Sequence, residues 1–192
     1  IVAVNANSSD PHYCPGPEMS APITENDFLL IDLWAREDAP DAVFSDITWT
    51  CFLGNQAPER IQAVFNTVLA ARDRGVEVLR ERWSDGARIE GWEVDDAVRE
   101  VIVANGFGDY VLHRTGHNLG LEIHANGVNF DNFETHDTRQ VIPGITCTIE
   151  PGVYVGEFGV RSEINVYMSD QGPVITTPPQ KELFYAMNEI SS

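Results

Sequence analysis

Long apolar runs, paired cysteines and basic charge are what this 192-residue sequence has least of. No apolar stretch reaches the roughly 18 to 20 residues that a membrane-spanning helix needs, and no basic-then-apolar leader opens the chain. A soluble, cytoplasmic protein is the expectation. The cysteines Cys14, Cys51 and Cys147 are odd in number and lack CxxC spacing, which argues against a disulfide framework or zinc knuckle and for reduced packing residues. With 12 basic against 30 acidic side chains the formal net charge is −18, a surface that repels nucleic acid and anionic membrane alike. An initiator Met is missing too. Ile1-Val2-Ala3-Val4 opens inside a strand-like run, so residues 1–192 are expected to be one domain truncated at its N-terminus.

What the chain does have is carboxylates in paired places. In Thr146 to Met168 two β-rich runs flank Gly156-Glu157; if these two residues are the hairpin turn, Val155 faces Phe158 and counting outward sets Glu150 opposite Glu163. Like charges across a ladder are destabilising, more so beside Ile149, Val153, Val160 and Ile164, so something positive should sit between them. An edge hairpin with both glutamates in solvent is the plain alternative, and a four-residue loop would offset the pair by two positions.

A second hairpin repeats the offer. Leu29 to Trp34 and Ala42 to Ile47 read as strands around a polar bend from Arg36 to Asp41, and counting outward from Ala39 sets Asp32 opposite Asp46. Two carboxylate pairs on two hairpins point to a hard-cation site, where oxygen ligands offset the crowding. They also suggest a degenerate two-fold architecture, although no sequence repeat is visible.

Between the hairpins, Pro58-Glu59-Arg60 opens an amphipathic helix expected to run to near Arg82, where Ser84-Asp85-Gly86 stops it. A second helix is expected over Glu93 to Asn105, and both are assigned to core packing. The following segment carries His113, His117 and His124; Thr115-Gly116 argues against a helical HExxH zinc motif, while the glycines let a histidine approach a site closely. The tail over Leu183 to Met187 reads as a short final helix or strand.

Asp32, Ser45-Asp46-Ile47-Thr48, Gly116-His117-Asn118-Leu119-Gly120, Ile149-Glu150-Pro151-Gly152-Val153-Tyr154 and Arg161-Ser162-Glu163 fall in the order that resembles the pita-bread metallopeptidases, the M24 group. The resemblance runs from Asp10-Pro11-His12-Tyr13 to Tyr167. It implies an α+β pita-bread fold, a curved antiparallel sheet with helices packed on its outer face. It also implies a separate N-terminal domain and a homo-oligomer in the full-length protein.

For the site, the resemblance implies two divalent metal ions: Asp32 chelates one, His117 and Glu150 bind the other, and Asp46 and Glu163 bridge. Mn suits a carboxylate-rich site best, and Co, Zn and Fe also fit. A bridging hydroxide would attack the scissile carbonyl, with Glu150 as proton shuttle. By the same resemblance His113 and His124 surround the substrate, His124 near the carbonyl oxygen, while His12 lies at the pocket and Arg161 orients carboxylates. His12 and His113 resemble aminopeptidase P and prolidase more than methionine aminopeptidase, which implies a peptide substrate with proline at the second position. A metal-free pita-bread domain, serving as a binding module or amidinohydrolase, is the alternative; such members typically lose acidic ligands, and all five ligand positions are filled here.

Overall fold

In the computed structural model, residues 1–186 are described, and the expected tail element therefore lies within them except for Met187. The order is β1 (Val2–Val4), β2 (Phe28–Ala35), β3 (Ser45–Phe52), α1 (Glu59–Ser84), α2 (Gly91–Ala104), β4 (Asn118–Leu119), β5 (Thr146–Ile149), β6 (Gly152–Tyr154), β7 (Gly159–Arg161), β8 (Ile164–Ser169), β9 (Gly172–Ile175) and β10 (Phe184–Tyr185). One sheet has the order β1-β2-β3-β10, another β4-β5-β8-β9, and β6-β7 form a short ribbon. All pairings are antiparallel except β10 on β3.

The second hairpin has the register expected of a two-residue turn. Gly156 sits at φ 90°, where a side chain would be strained, and the Val155 amide donates to the Phe158 carbonyl at 3.0 Å. Val153 pairs with Val160 on the β6-β7 ribbon and Ile149 with Ile164 on β5-β8, so one register runs through the break between the two ladders. That break holds Glu150 and Glu163, which therefore stand opposite each other.

The first hairpin corrects the count. Asp32 pairs with Thr48, and Asp46 with Trp34, so pairing is centred on Pro40 rather than Ala39. Residues 42–44 stay in the loop, and the strand starts at Ser45. Because the shift is by two positions, Asp46 keeps its face and becomes a diagonal neighbour of Asp32. Alternate burial along β3 puts Asp46, Thr48 and Thr50 inside.

Both helices form as their apolar spacing predicts. α1 starts after Pro58 and stops before Gly86, which takes φ 66°. α2 begins two residues earlier than expected because Glu90 and Glu93 form a reciprocal cap on its first turn. α1 buries Val64, Phe65, Val68 and Leu79; Val76 and Leu79 pack with Ile149, Ile164, Val166 and Met168 behind the second hairpin. Each such side chain contributes about 1.5–3 kcal/mol by leaving water. Ile149 and Ile164 neighbour Glu150 and Glu163 in sequence and point the other way, so the helices cover the outer face and leave the acid face clear. Behind the first hairpin Ile31, Leu33 and Trp49 remain exposed.

A seam of side-chain amides joins the two hairpins. Asn165 on β8 accepts from the Asp46 amide at 3.0 Å and donates to the Asp46 carbonyl at 2.6 Å. The Glu163 amide donates to the Thr48 carbonyl at 3.1 Å. Gln180 then grips Thr50 on both sides, at 3.0 and 2.6 Å. Three successive inward residues of β3 are thus zipped to the second half, and Asp46 is brought beside Glu163.

Candidate metal centre

Asp46, His117 and Glu163 are all buried, and each offers a ligand atom within 4.8 Å of the others. Asp46 Oδ1 and Glu163 Oε1 are shielded from solvent and have no hydrogen-bond partner. A buried carboxylate oxygen left unpaired is costly, and two side by side are costlier. A divalent cation is the partner this donor set suits: carboxylate oxygens with one imidazole.

His117 is held by the chain's close approach to β5. Its amide donates to Thr148 Oγ1 at 2.9 Å, and the Thr148 amide donates to its carbonyl at 2.9 Å. Only a glycine fits beside it: a Cβ on Gly116 would come within 2.1 Å of the Thr148 carbonyl oxygen. Thr148 Oγ1 in turn donates to Glu150 Oε1 at 2.9 Å, which fixes that carboxylate 3.2 Å from His117 Nε2. Asp46 Oδ2 lies 3.6 Å from the same nitrogen.

Thr48 does for Glu163 what Thr148 does for Glu150. Its hydroxyl donates to Glu163 Oε2 at 2.8 Å and accepts from Arg161 Nε at 3.1 Å. The buried Arg161 guanidinium also donates to Asp32 Oδ2 at 2.7 Å and to the Tyr154 hydroxyl at 3.0 Å. Asp32 is thereby anchored at the edge of the cluster, and its other oxygen is left for a ligand.

The charges show the same need for a cation. Burial raises the Glu163 carboxyl well above the usual carboxylate range, and the neighbouring Glu150 and Asp46 charges add to it. Burial also raises Asp32, against the pull of Arg161. For His117, burial opposes the charged ring, but hydrogen bonds to Asp46 and Glu150 prevail and push it up to about 9. Burial likewise opposes ionised Glu150, yet the hydrogen bond from His117 brings it down to about 2. Crowding of the buried carboxylates thus favours positive charge among them.

Every site residue expected from the sequence lines one pocket of about 570 Å³. His12 and His124 are exposed on its wall. The His124 ring stands edge-on to His117 at 4.3 Å between centroids. Burial, followed by the charge on His117, lowers its pKa, so it is neutral and carries one N–H at neutral pH. His113 lines the same pocket and is also tied to the protein. Its Nδ1 meets the Arg114 carbonyl at 2.7 Å and its Nε2 meets the Tyr154 hydroxyl at 2.6 Å, so both ring nitrogens are engaged by the protein. The carbonyl only accepts, so Nδ1 carries the hydrogen and Nε2 accepts from Tyr154. A relay from His113 through Tyr154 and Arg161 to Asp32 results, which gives His113 a positioning geometry rather than a free donor.

Sequence reading missed the roles of Thr48, Thr148, Tyr154 and Asn165. Thr48 and Tyr154 stand inside the motifs already singled out, but their hydrogen bonds depend on pairings that no local pattern reveals. Cys14 also departs from expectation: it is exposed on the pocket wall rather than packed.

The pattern of metallopeptidase family M24 matches residues 1–170. The chain is 33% identical over 184 residues to a putative dipeptidase, YkvY, of Bacillus subtilis, covering 95% of this chain and 46% of that protein. To the Xaa-Pro dipeptidase of Pyrococcus furiosus it is 32% identical over 184 residues, covering 95% and 48%. The crystal structure of a dipeptidase from Pyrococcus horikoshii superposes with a TM-score of 0.82 at 33% identity, over 96% of this chain and 48% of that one. The chain thus spans about half the length of the relatives it matches. With the family pattern covering most of its residues and the acid-bearing hairpins meeting in one pocket, this chain belongs to metallopeptidase family M24 and has its pita-bread fold.

Proposed function

We propose that this chain is the catalytic domain of a metal-dependent peptidase that cleaves the bond between an N-terminal residue and proline. The observation that carries the reading is the convergence of Asp46, Glu163 and His117, with one buried, unpartnered oxygen on each carboxylate. The Xaa-Pro dipeptidase among the relatives supports the choice of bond. Asp32, Asp46, His117, Glu150 and Glu163 would hold two divalent cations, with Mn the ion such a carboxylate-rich set favours. When bound, such ions acidify water and polarise a carbonyl.

The remaining chemistry belongs to the chain. Glu150 is ionised at neutral pH, and Thr148 occupies its Oε1, so Oε2 is the oxygen that takes the proton of the attacking water and returns it to the leaving nitrogen. His124, neutral on the pocket wall, donates its N–H to the oxygen of the tetrahedral intermediate. Arg161 and Thr48 hold Asp32 and Glu163 in place, and Tyr154 with His113 holds Arg161. His12 flanks the substrate at the pocket mouth.

The test is proline release from an Xaa-Pro peptide by the full-length protein, with Mn, after chelation and after Mn is restored. Activity that disappears and returns supports the reading. A metal-loaded preparation that leaves all such peptides intact contradicts it.

A further inference from the structure

We propose that Arg36 is a positioning residue for His124: from the connection between β2 and β3 it holds residues 120–124, the stretch that carries His124, against the strands of Asp32 and Asp46. This rests on the peptidase reading above and adds to it a residue that does not line the pocket.

His124 depends on its backbone for its place. Its ring is exposed, has no hydrogen bond among the described residues, and meets His117 edge-on at 4.3 Å between centroids. Residues 120–124 belong to no strand or helix. The stretch leaves the short strand β4 and returns at Ala125, whose amide donates to the Asn118 carbonyl at 2.9 Å. Within it the Gly120 amide donates to the Glu122 carbonyl at 3.2 Å. Among the described residues, the hydrogen bonds that reach 120–124 from elsewhere in the chain both come from the connection over 36–44. The Phe44 amide donates to the Gly120 carbonyl at 3.0 Å, and Arg36 Nη1 donates to the Leu121 carbonyl at 2.9 Å.

Arg36 also closes the connection on itself. Its guanidinium lies over the Phe44 ring, 5.1 Å from the centroid, so the side chain that reaches Leu121 rests on the residue that reaches Gly120. A planar guanidinium can stack on a ring and still aim an N–H along its own plane at a carbonyl, a combination that a lysine ammonium reproduces only in part. The two anchors flank the strands that carry the site acids. Arg36 follows Ala35, the end of the strand with Asp32, and Phe44 precedes Ser45, the start of the strand with Asp46. A long connection thus ties the acid strands to the His124 stretch, and the bond to Leu121 is the tie nearer to His124 in sequence.

The experiment uses the full-length, Mn-loaded protein and places Arg36→Met and Arg36→Lys in the native and in the His124→Phe background. It measures kcat and KM on Ala-Pro, metal content, and hydrogen exchange over 36–44 and 118–125 without substrate. Arg36→Met is expected to lower kcat by about tenfold with KM and metal content unchanged, because misplacing a catalytic group by about 1 Å costs up to about a hundredfold and one tie remains. In the His124→Phe background the same change should alter kcat by less than about twofold, since the two residues act as one unit. Arg36→Lys should fall between native and Met. The bonded amides of Phe44, Gly120 and Ala125 should exchange faster in Arg36→Met. Unchanged exchange overturns the proposal, as does an unchanged kcat, or an equal loss in both backgrounds, the mark of a merely structural role. Faster exchange in a protein whose native form cleaves no Xaa-Pro peptide would uphold the brace and show that the peptidase reading itself had failed.

Discussion

Asp46 and Glu163 meet across the seam between β3 and β8, each offering a ligand atom within 4.8 Å of the other's and of His117's, and each carboxylate has one oxygen sealed from water and without a donor. Such an arrangement is stable only if something positive joins it. Divalent metal should therefore raise the melting temperature by an amount that grows with concentration, because binding at 100 to 1,000 times Kd adds about 3–4 kcal/mol. Asp46→Asn or Glu163→Gln should abolish this increment; Glu163→Gln should leave the metal-free protein as stable as before or more so, since like-charge crowding is relieved, whereas Asp46→Asn also weakens the partner of His117. Thermal unfolding with and without Mn checks it; an undiminished increment in either variant counts against the assignment.

The metal-free protein should also respond to pH in a defined direction. The raised pKa of His117, about 9 against 6.5, contributes stability that is complete below 6.5 and lost as pH rises through 9. Glu163 and Asp32 are also raised and act in the same direction. Glu150, lowered to about 2 from 4.5, contributes stability above 4.5 that is lost as pH falls towards 2. Melting temperature without metal should thus drop by several degrees between pH 6.5 and 9, and His117→Gln should flatten that fall. A flat or rising native profile would contradict it.

Asn165 is predicted to govern metal affinity without being a ligand. Its amide satisfies both the N–H and the C=O of Asp46 and accepts from the Ser45 hydroxyl. Asn165→Ala leaves buried backbone groups unpaired, at about 1–3 kcal/mol each. Urea unfolding should show the loss, and metal titration should show weaker binding. Stability equal to the native protein would mean that the seam does not hold Asp46.

For catalysis, His124→Phe should lower kcat by about 10²-fold, the usual effect of removing one oxyanion donor, with little change in KM or metal content. Steady-state kinetics on an Xaa-Pro peptide measures it. A change confined to KM would assign His124 to substrate binding alone.

How much of this was legible beforehand depended on how tightly each element is constrained locally. The second hairpin could be counted because its turn has two residues and Gly156 permits no slack, so Glu150 and Glu163 fell opposite each other as expected. The first could not, because the connection over 36–44 is long enough to take up residues from either strand; the face of Asp46 survived only because the slip was even. Helical spacing located α1 and α2, and a glutamate cap moved the start of α2. The family resemblance, not the pattern, supplied the expected ligand roles. The amide seam of Asn165 and Gln180 and the relay through Tyr154 were invisible because they join residues more than a hundred or some forty positions apart. That relay also ties the ring of His113, which lines the pocket, to the protein.

Anomalous diffraction from crystals of the full-length protein grown with Mn addresses the centre most directly. Two peaks are predicted, both against Asp46 and Glu163, one also against His117 and Glu150 and the other against Asp32. Crystals with Mn in the solution and no peak between Asp46 and Glu163 would contradict the account.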